Sequence, residues 1–336
     1  MKVWYDACTG KHVRYGVAIG KRLRTLGHTF FLTIREHPDT VPLADYLNEK
    51  VAVVGRYDPQ SLLSRLEESA RRQLSFSKIL KKDMPDIAIS HGSVDLCRVA
   101  FGLGTPCICT FDTPHAKAVT RLTLPLVNDV VMSKAIPKEI VRKYNAEARI
   151  SSFNGVDELA WIKNLSKTEY EYEKPLVVVR QIETKAVYAK KGMDMLRLAK
   201  KLTRLGKVVF LTRYERKEIR DLIVPRSFVD SASLVAQADL FVGAGGTITR
   251  EAALQGTPSI VIKMYTGYYV NEFLRKKGFP IHETDPSSAV KLAEELVGRR
   301  KNVKHLLAKL EDPVDVIAQI LRRFHGAKTL SQTRGS

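Results

Sequence analysis

The sequence has no hydrophobic run long enough to cross a membrane. Its longest stretch without a charged residue lies between Arg98 and Asp112 and is 13 residues long, whereas a spanning helix needs about 20 apolar residues. The N-terminus also lacks the basic segment and apolar core of a signal peptide. We therefore expect a cytoplasmic protein without transmembrane segments.

Cysteine is scarce as well. The four cysteines, Cys8, Cys97, Cys107 and Cys109, include no Cys-x-x-Cys pair, which argues against the usual zinc and redox motifs. Buried free thiols are the favoured interpretation, with a metal or redox site as the alternative. The sequence has no Asp-x-Asp motif either, and we predict no metal site.

Acidic residues are in a clear minority, with 36 Asp and Glu against 55 Lys and Arg, for a net charge of +19. The excess is spread along the chain, at +8 for residues 1–150 and +11 for residues 151–336. A positive field over the whole molecule favours anionic ligands or an anionic membrane surface. A basic surface without a specific partner is one alternative. Nucleic acid is less favoured, because no recognition helix, zinc spacing or aromatic RNA-binding motif is present.

Short apolar strands alternate with helices, which predicts βαβ units and parallel sheets. The alternation is interrupted over residues 149–175, where Asn154-Gly155 signals a turn, and it restarts at Leu176. We predict an N-terminal, acceptor-side Rossmann-like domain over 1–155 and a linker over 156–175. A C-terminal Rossmann-like domain that binds a nucleotide sugar follows over 176–325, and then a flexible tail over 326–336. The predicted helices include 62–82, 216–223 and 302–325.

A glycine-rich segment at 243–258 follows a predicted strand and opens a predicted helix. Glycines permit close backbone approach, and the free N–H groups and dipole of a helix N-terminus favour a phosphate, here at Gly245 and Gly246. Thr247 or Thr249 can cap the helix and bind that phosphate. Glu251, which we place in the first helical turn, can accept hydrogen bonds from two ribose hydroxyls. The alternative is an ordinary capped helix.

Two further loops of the second domain offer cations. Arg180 ends a predicted strand, where its planar guanidinium can clamp a diphosphate. Arg213 and Tyr214 follow the next strand, and we place them beside the nucleotide base. The alternative is a set of solvated surface side chains.

The first domain offers four candidates for a general base, each just after a predicted strand. They are His12, His91, Asp112 and His115. A histidine at a helix N-terminus protonates less readily, so His12 is suited to be a neutral donor or base. Each of these residues taken alone is more often structural, but their shared place at strand ends favours an acid–base site. Among them we favour His91, with Asp112 next.

Four segments carry a resemblance to known proteins: 89–93, 98–104, 154–159 and 243–258. Through them nearly the full chain resembles the GT-B glycosyltransferase superfamily, above all a largely archaeal family of predicted glycosyltransferases. This superfamily includes the N-acetylglucosaminyltransferase that makes lipid II and the non-hydrolysing UDP-N-acetylglucosamine 2-epimerases. The resemblance implies two facing Rossmann-like doubly wound α/β domains with a cleft between them. It also implies that Gly245, Gly246 and Thr247 meet a diphosphate and that Glu251 meets the ribose.

The sequence departs from the epimerases at two places. It has Ser93 where they have an acid, and Arg180-Gln181-Ile182-Glu183 where they have His-Arg-Arg-Glu-Asn. In addition, Gly10-Lys11 replaces the paired glycines or prolines that precede the equivalent of His12. Epimerisation requires proton abstraction and anti elimination. Because the acid and the His-Arg-Arg-Glu-Asn run that could supply these steps are missing, transfer is favoured.

The function that we expect is metal-independent transfer of a sugar from a nucleotide sugar, with a UDP-sugar favoured. The expected acceptor is a lipid phosphate or a glycan. A lipid-phosphate acceptor suits the basic surface and would bring the protein to the inner face of the membrane. No cofactor is expected beyond the nucleotide-sugar substrate. The alternatives are a nucleotide-sugar 2-epimerase or hydrolase, and a non-catalytic protein that binds nucleotides or nucleic acid.

Overall fold

The computed structural model describes residues 1–182, 194–213, 217–264 and 267–333. The chain forms two compact units. The N-terminal unit comprises Met1–Trp161 and the chain from Glu311 onward, and the C-terminal unit comprises Ile162–Leu310. Each unit is built on a parallel sheet, so the predicted fold class of two Rossmann-like doubly wound α/β domains is confirmed.

Residues 1–161 are described without a gap and contain seven strands. The strands are β1 (Lys2–Ala7), β2 (Thr29–Glu36), β3 (Val51–Arg56), β4 (Ile87–Ser90), β5 (Cys107–Phe111), β6 (Asp129–Ser133) and β7 (Arg149–Phe153). The helices that begin in this range are α1 (Gly10–Thr25), α2 (Val41–Tyr46), α3 (Leu62–Lys82), α4 (Val94–Gly102), α5 (Lys117–Thr123), α6 (Lys138–Arg142) and α7 (Leu159–Ile162).

The order of strands in this sheet is β3-β2-β1-β4-β5-β6-β7. Successive strands run outward in one direction from β1 to β3 and in the other from β4 to β7, so the direction reverses between β1 and β4. Helix α3 packs beside α4 and α4 beside α5, whereas α1 packs beside α2. Because crossover connections are right-handed, this reversal places the two groups of helices on opposite faces of the sheet. Helices cover both faces, which is why strands such as β4 and β5 are buried at every residue.

A buried ion-pair network joins the first sheet to α3 and α4. Arg72 on α3 is 1% exposed and donates to both carboxylate oxygens of Asp6, at 2.7 and 3.1 Å, and to Asp95 at 2.9 Å. Its Nε donates to the carbonyl of Val54 at 2.7 Å, and the hydroxyl of Ser93 donates to Asp6 at 2.5 Å. One guanidinium therefore links β1, β3, α3 and α4.

The described part of the C-terminal unit contains a five-stranded sheet in the order β12-β11-β10-β8-β9. Its strands are β8 (Leu176–Arg180), β9 (Lys207–Leu211), β10 (Leu240–Gly243), β11 (Ser259–Ile262) and β12 (Ile281–Thr284). Its helices are α8 (Met195–Leu202), α9 (Ser231–Gln237), α10 (Thr247–Leu254), α11 (Tyr269–Lys276), α12 (Ala289–Leu296) and α13 (Lys304–Leu307). The direction of the sheet reverses between β8 and β10, and a hydrophobic core packs on each face.

The last helix, α14 (Pro313–Thr333), belongs to the N-terminal unit. It packs on α1, β6 and β7, and it buries Ile317 and Leu321. The sequence pattern instead placed residues up to 325 in the second domain and a flexible tail after them. The apolar face of α14 finds its partners on the first sheet, which a local pattern does not reveal.

Two predicted helices differ in the structure. The predicted helix over 302–325 is divided into α13 and α14, because Pro313 begins a new helix and disfavours helical backbone in the residue before it. The predicted helix over 216–223 lies partly outside the described residues. Its described part holds the isolated bridges Val209–Ile223 and Ile219–Leu222 instead of a helix. By contrast, the helix predicted over 62–82 is found with those bounds.

In the parts of the chain that the structure describes, no helix combines the length and the apolar character needed to cross a bilayer. The cysteines are free thiols, with Cys97, Cys107 and Cys109 buried and Cys8 partly buried.

Candidate functional site

The reversal points of the two sheets lie at the carboxyl ends of β1 and β4 and of β8 and β10. In doubly wound sheets ligands bind at such points, because the loops on either side diverge and leave a crevice. In the N-terminal unit the loops that follow β1, β4, β5 and β7 carry charged or titratable side chains.

Five of these side chains form what we call the acid–base cluster. Lys11 contacts a carboxylate oxygen of Asp112, and its ammonium lies 2.9 Å from Asp157 and 3.3 Å from Glu158. The Nε2 of His91 lies 3.3 Å from Asp112 Oδ1 and 3.9 Å from Asp157 Oδ2. The side chains of Asp157 and Glu158 are 3% and 0% exposed. The structure thus brings together residues that are up to 147 positions apart in the sequence.

Local backbone features set up this cluster. Thr9 caps α1 by accepting a hydrogen bond from the N–H of His12, which places Lys11 in the first helical turn. Gly92 follows His91 with a φ of +72°, a left-handed conformation that a side chain disfavours. A Cβ at Gly155 would collide with the carbonyl of Glu311, so glycine is required in the turn that leads to Asp157.

Thr110 orients the imidazole of His91 through a hydrogen bond to Nδ1, the ring nitrogen that does not face Asp112. Its Nδ1 lies 2.5 Å from Thr110 Oγ1, and that hydroxyl donates to the carbonyl of Ser90 at 3.3 Å. Since the threonine proton is engaged there, Nδ1 carries the proton of their hydrogen bond. This assignment leaves Nε2, which faces Asp112, as the nitrogen that can accept a proton.

His12 lies beside the cluster, with its ring edge-on to His91 at 4.8 Å between centroids. Its Nδ1 accepts from the N–H of Cys8 at 3.4 Å. Burial, together with the nearby His91 and Lys11, holds the pKa of His12 well below its usual value. The main cause is burial, whereas the sequence-based expectation relied on the helix N-terminus.

We expect NMR of ring-labelled histidine to show that His12 is still neutral well below pH 6.5, where a histidine in a disordered peptide titrates, because burial lowers its pKa. Substitution His12→Asn assigns the signal and keeps an acceptor for the N–H of Cys8. Because the unfolded chain takes up a proton that folded His12 excludes, stability decreases as the pH falls below about 6.5. A His12 signal that reaches its protonated position between pH 6 and 7 would contradict the expectation.

His115 lies at the far end of the loop after β5, three residues beyond Asp112, and is partly buried. Its carbonyl accepts from the N–H of Lys117 at 2.9 Å. It therefore shares a loop with the cluster and stays a candidate base.

A metal ion is the first ligand to test against the cluster. His91, Asp112 and Asp157 each offer a ligand atom, and these atoms lie within 4.8 Å of one another. The ammonium of Lys11, however, contacts both carboxylates, so a cation of the protein already neutralises the position between them. Burial still raises the pKa of Asp157, against the lowering effect of Lys11. The residues present fit an internal ion pair better than a metal centre.

In the C-terminal unit the glycine loop lies at the reversal point. Gly243 ends β10 and Gly246 is the N-cap of α10, with no side chain capping that helix. The predicted threonine cap is therefore wrong. Thr247 is the first helical residue, and the hydroxyl of Thr249 donates to the carbonyl of Gly245 at 2.7 Å.

Glu251 lies in the second turn of α10, not in the first, because the helix begins at Thr247. It is fully buried, and one of its carboxylate oxygens accepts from the hydroxyl of Ser231 at 2.9 Å. Contact of Glu251 with a ribose stays a prediction. Within the unit, its hydrogen bond with Ser231 links α10 to α9.

Arg180 and Arg213 lie at the ends of neighbouring strands of the second sheet. Arg180 donates to the carbonyl of Thr212 at 3.1 Å, and its Cβ packs 3.7 Å from the Cβ position of Gly243. The backbone N–H and the Nε of Arg213 donate to the side chain and carbonyl of Gln181 at 2.8 and 3.1 Å. Tyr214 and Glu183 lie outside the described residues.

A comparison with models of protein families shows which family the chain belongs to. The model described as "Protein of unknown function (DUF354)" matches residues 1–325. The chain belongs to this family. A relative, "Uncharacterized protein MJ0665" of Methanocaldococcus jannaschii, is 29% identical over an alignment that covers 94% of this chain and 96% of the relative.

Solved structures with a similar fold include enzymes of both kinds named by the sequence resemblance. The UDP-GlcNAc 2-epimerase of M. jannaschii in complex with UDP-GlcNAc and UDP has a TM-score of 0.68 at 16% identity, over 96% of this chain and 100% of that one. The spinosyn forosaminyltransferase SpnP has a TM-score of 0.61 at 14% identity, over 97% and 99%. At these identities the likeness establishes the GT-B fold that the motifs predicted.

The sequence reasoning missed Lys11, Asp157, Glu158 and Arg250 as site residues. Lys11 was noted only as a replacement within a loop motif, and Asp157 and Glu158 only as part of a family segment. The position of Asp157 and Glu158 just after β7 was the available signal, because the other candidate bases also follow strands that end at this edge of the sheet. Arg250 is buried, and its guanidinium lies where a Cβ on Gly246 would be, beneath the glycine loop.

Proposed function

We propose that this protein is a glycosyltransferase that takes a sugar from a nucleotide sugar, with a UDP-sugar favoured. One observation carries the proposal: each unit gathers functional groups at its own reversal point. In the C-terminal unit these are a glycine loop and arginines, suited to a diphosphate, and in the N-terminal unit they are the acid–base cluster. A transfer reaction needs both a leaving-group site and a base.

The donor site is proposed on the glycine loop. A Cβ at Gly245 would meet no atom within 4 Å, so space beside the backbone is open to a ligand. The first N–H groups of α10 have no partner within the helix, and together with the helix dipole they favour phosphate oxygens. Arg180 and Arg250 add positive charge next to the same loop. The UDP complex of a protein with this fold supports the choice of nucleotide.

The acid–base cluster is proposed to activate the acceptor. The acceptor hydroxyl gives its proton to His91 Nε2 or to Asp112, and its oxygen attacks C1 of the sugar as the bond from C1 to the diphosphate breaks. The diphosphate leaves with the electron pair, and the configuration at C1 is inverted. A protonated His91 is stabilised by Asp112, 3.3 Å from its Nε2, and the leaving group by the N-terminus of α10.

Transfer is favoured over 2-epimerisation by the environment of Ser93. This residue stands where the epimerases have an acid, and it is the N-cap of α4, with its side chain accepting from the N–H of Leu96. Its own proton is donated to Asp6, whose carboxylate is held by Arg72. Neither group is placed to exchange a proton with a substrate. The proposed acceptor is a hydroxyl-bearing glycan or lipid phosphate.

The donor site is tested by substitution Gly245→Asp. The side chain has room, so the fold is retained, but its charge repels a diphosphate. We expect UDP affinity measured by calorimetry to fall at least about tenfold. The matched control is Asn302→Asp, which adds the same charge to an exposed residue whose Oδ1 accepts from the N–H of Lys304 at 3.1 Å.

UDP binding that is equal in the Gly245→Asp, Asn302→Asp and unsubstituted proteins would remove the glycine loop from the donor site. A thermal-shift comparison of UDP, GDP, CMP and dTDP identifies the base. UDP release from a UDP-sugar that depends on an added acceptor supports transfer, whereas conversion of the sugar nucleotide without an acceptor indicates epimerisation.

A further inference from the structure

Exposed apolar side chains are unevenly distributed between the two units. Twelve large hydrophobic residues are well exposed among those that the structure describes, and all of them lie between Tyr46 and Leu122 in the N-terminal unit. Most single exposed hydrophobics need no explanation, but a group on one face marks an interaction surface. Eight of the twelve are on α3, α4 and α5. They are Leu62, Leu63, Leu66, Leu74, Ile79, Phe101, Val119 and Leu122.

Helix α3 exposes several large apolar side chains on its outer side. Its inner side is formed by Arg72, Phe76 and Leu80, spaced by four residues and buried. Leu66 and Leu74 lie on the opposite side and are 67% and 64% exposed. The helix thus exposes large leucines to the solvent among its charged side chains, whereas an ordinary surface helix keeps such residues on its buried face.

Helices α4 and α5 extend this surface. They pack beside α3 in a single layer on one face of the sheet. Phe101 on α4 is 59% exposed and Leu122 on α5 is 55% exposed. We call the outer side of these three helices the α3–α5 face.

The α3–α5 face is also strongly basic. Its three helices have seven exposed Lys or Arg side chains but one exposed carboxylate, Glu67, which pairs with Arg71 at 3.4 Å. The seven cations are Arg71, Lys78, Lys81, Lys82, Arg98, Lys117 and Arg121. Leucine and phenylalanine interspersed with lysine and arginine are typical of surfaces that bind at a membrane interface.

We propose that the α3–α5 face docks the protein on an anionic lipid bilayer, independently of the reaction catalysed. The cations are attracted to the lipid phosphates, and the exposed leucines and Phe101 enter the headgroup region. Charge complementarity selects this occupant: two copies of so basic a face repel each other, and the sugar-phosphate chain of a nucleic acid offers no apolar phase for the leucines. The wider positive charge of the molecule adds long-range attraction.

The test is flotation of the whole protein with vesicles of phosphatidylcholine alone or with about one third phosphatidylglycerol. We expect binding to the anionic vesicles only, and a steep decrease between about 0.05 and 0.5 M salt because exposed charges are screened. The double substitution Leu66→Glu/Leu74→Glu is expected to reduce the bound fraction at least about tenfold. The matched control is Tyr46→Glu, on α2 at the other face of the sheet, which leaves binding unchanged.

Circular dichroism verifies that each variant is folded, and the cation variant Lys78→Gln/Lys81→Gln provides a second substitution that keeps the leucines. We expect it to lower binding to anionic vesicles as well. Absence of vesicle binding, equal binding to both vesicle types, or binding unaffected by the Leu66→Glu/Leu74→Glu change would overturn the proposal. Self-association in ultracentrifugation that the same double variant abolishes would instead assign the face to a second copy of the chain.

Discussion

Substitution of His91 by glutamine, or of Asp112 by asparagine, is expected to lower the turnover of sugar transfer by about 10²–10⁴-fold while leaving UDP affinity within about twofold. The reason is the division of tasks proposed between the units: these two side chains take the acceptor's proton and have no part in holding the nucleotide. The measurement is acceptor-dependent UDP release, with UDP affinity determined in parallel by calorimetry. His305→Gln, the same change at an exposed residue of α13, is the control.

Both variants are expected to fold. In Asp112→Asn, Lys11 keeps its contacts with Asp157 and Glu158, and in His91→Gln the carboxylates keep Lys11. Full transfer activity in both variants would show that the base is elsewhere, and His12 and His115 would be tested next. Loss of UDP binding in either variant would place that residue in the donor site and contradict the proposed division.

Substitution Arg72→Met is expected to destabilise the N-terminal unit by about 3–5 kcal/mol, because it leaves the buried carboxylates of Asp6 and Asp95 without their cation. The neighbouring change Arg71→Met is the matched control. Arg71 is 62% exposed and pairs with Glu67 and Glu68 on its own helix, and exposed ion pairs contribute about 0–1 kcal/mol. Asp95→Asn, which leaves the Arg72–Asp6 pair intact, is expected to have an intermediate effect.

Tryptophan fluorescence during urea unfolding measures this effect in one unit. The chain has two tryptophans, Trp4 and Trp161, and both belong to the N-terminal unit and are buried. Their emission therefore follows the unit that contains Arg72. If Arg72→Met lowers the unfolding midpoint no more than Arg71→Met does, the network has no special role in stability.

The sequence was informative wherever a pattern is local. The period of apolar residues gave α3 with its observed bounds, and the alternation of strands and helices gave the parallel sheets. Since strands of such sheets end at one edge, the side chains after them were predicted to meet, and His91, Asp112 and His12 do lie together. At the glycine loop the helix begins at Thr247, earlier than the pattern indicated, so Glu251 falls in the second turn and the predicted cap was wrong.

Contacts between residues that are far apart in the sequence could not be predicted from it. Lys11 and Asp157 are brought together by three-dimensional structure alone, and a lysine in the first turn of a helix offers no local sign that it neutralises three acids. The same holds for Arg72, whose partners Asp6 and Asp95 come from other elements. These contacts depend on the order of the strands, which the alternation of elements leaves undetermined.

The placement of α14 has a consequence for synthesis. The N-terminal unit is discontinuous, since Met1–Trp161 lacks the helix that covers α1, β6 and β7 until the chain from Glu311 onward arrives. Chains fold from the N-terminus as they leave the ribosome, so the C-terminal unit, a continuous stretch, is complete first. The unit that is translated first is thus completed last. Until α14 is synthesised, the apolar patch that receives Ile317 and Leu321 stays exposed, and exposed apolar surface is what chaperones bind.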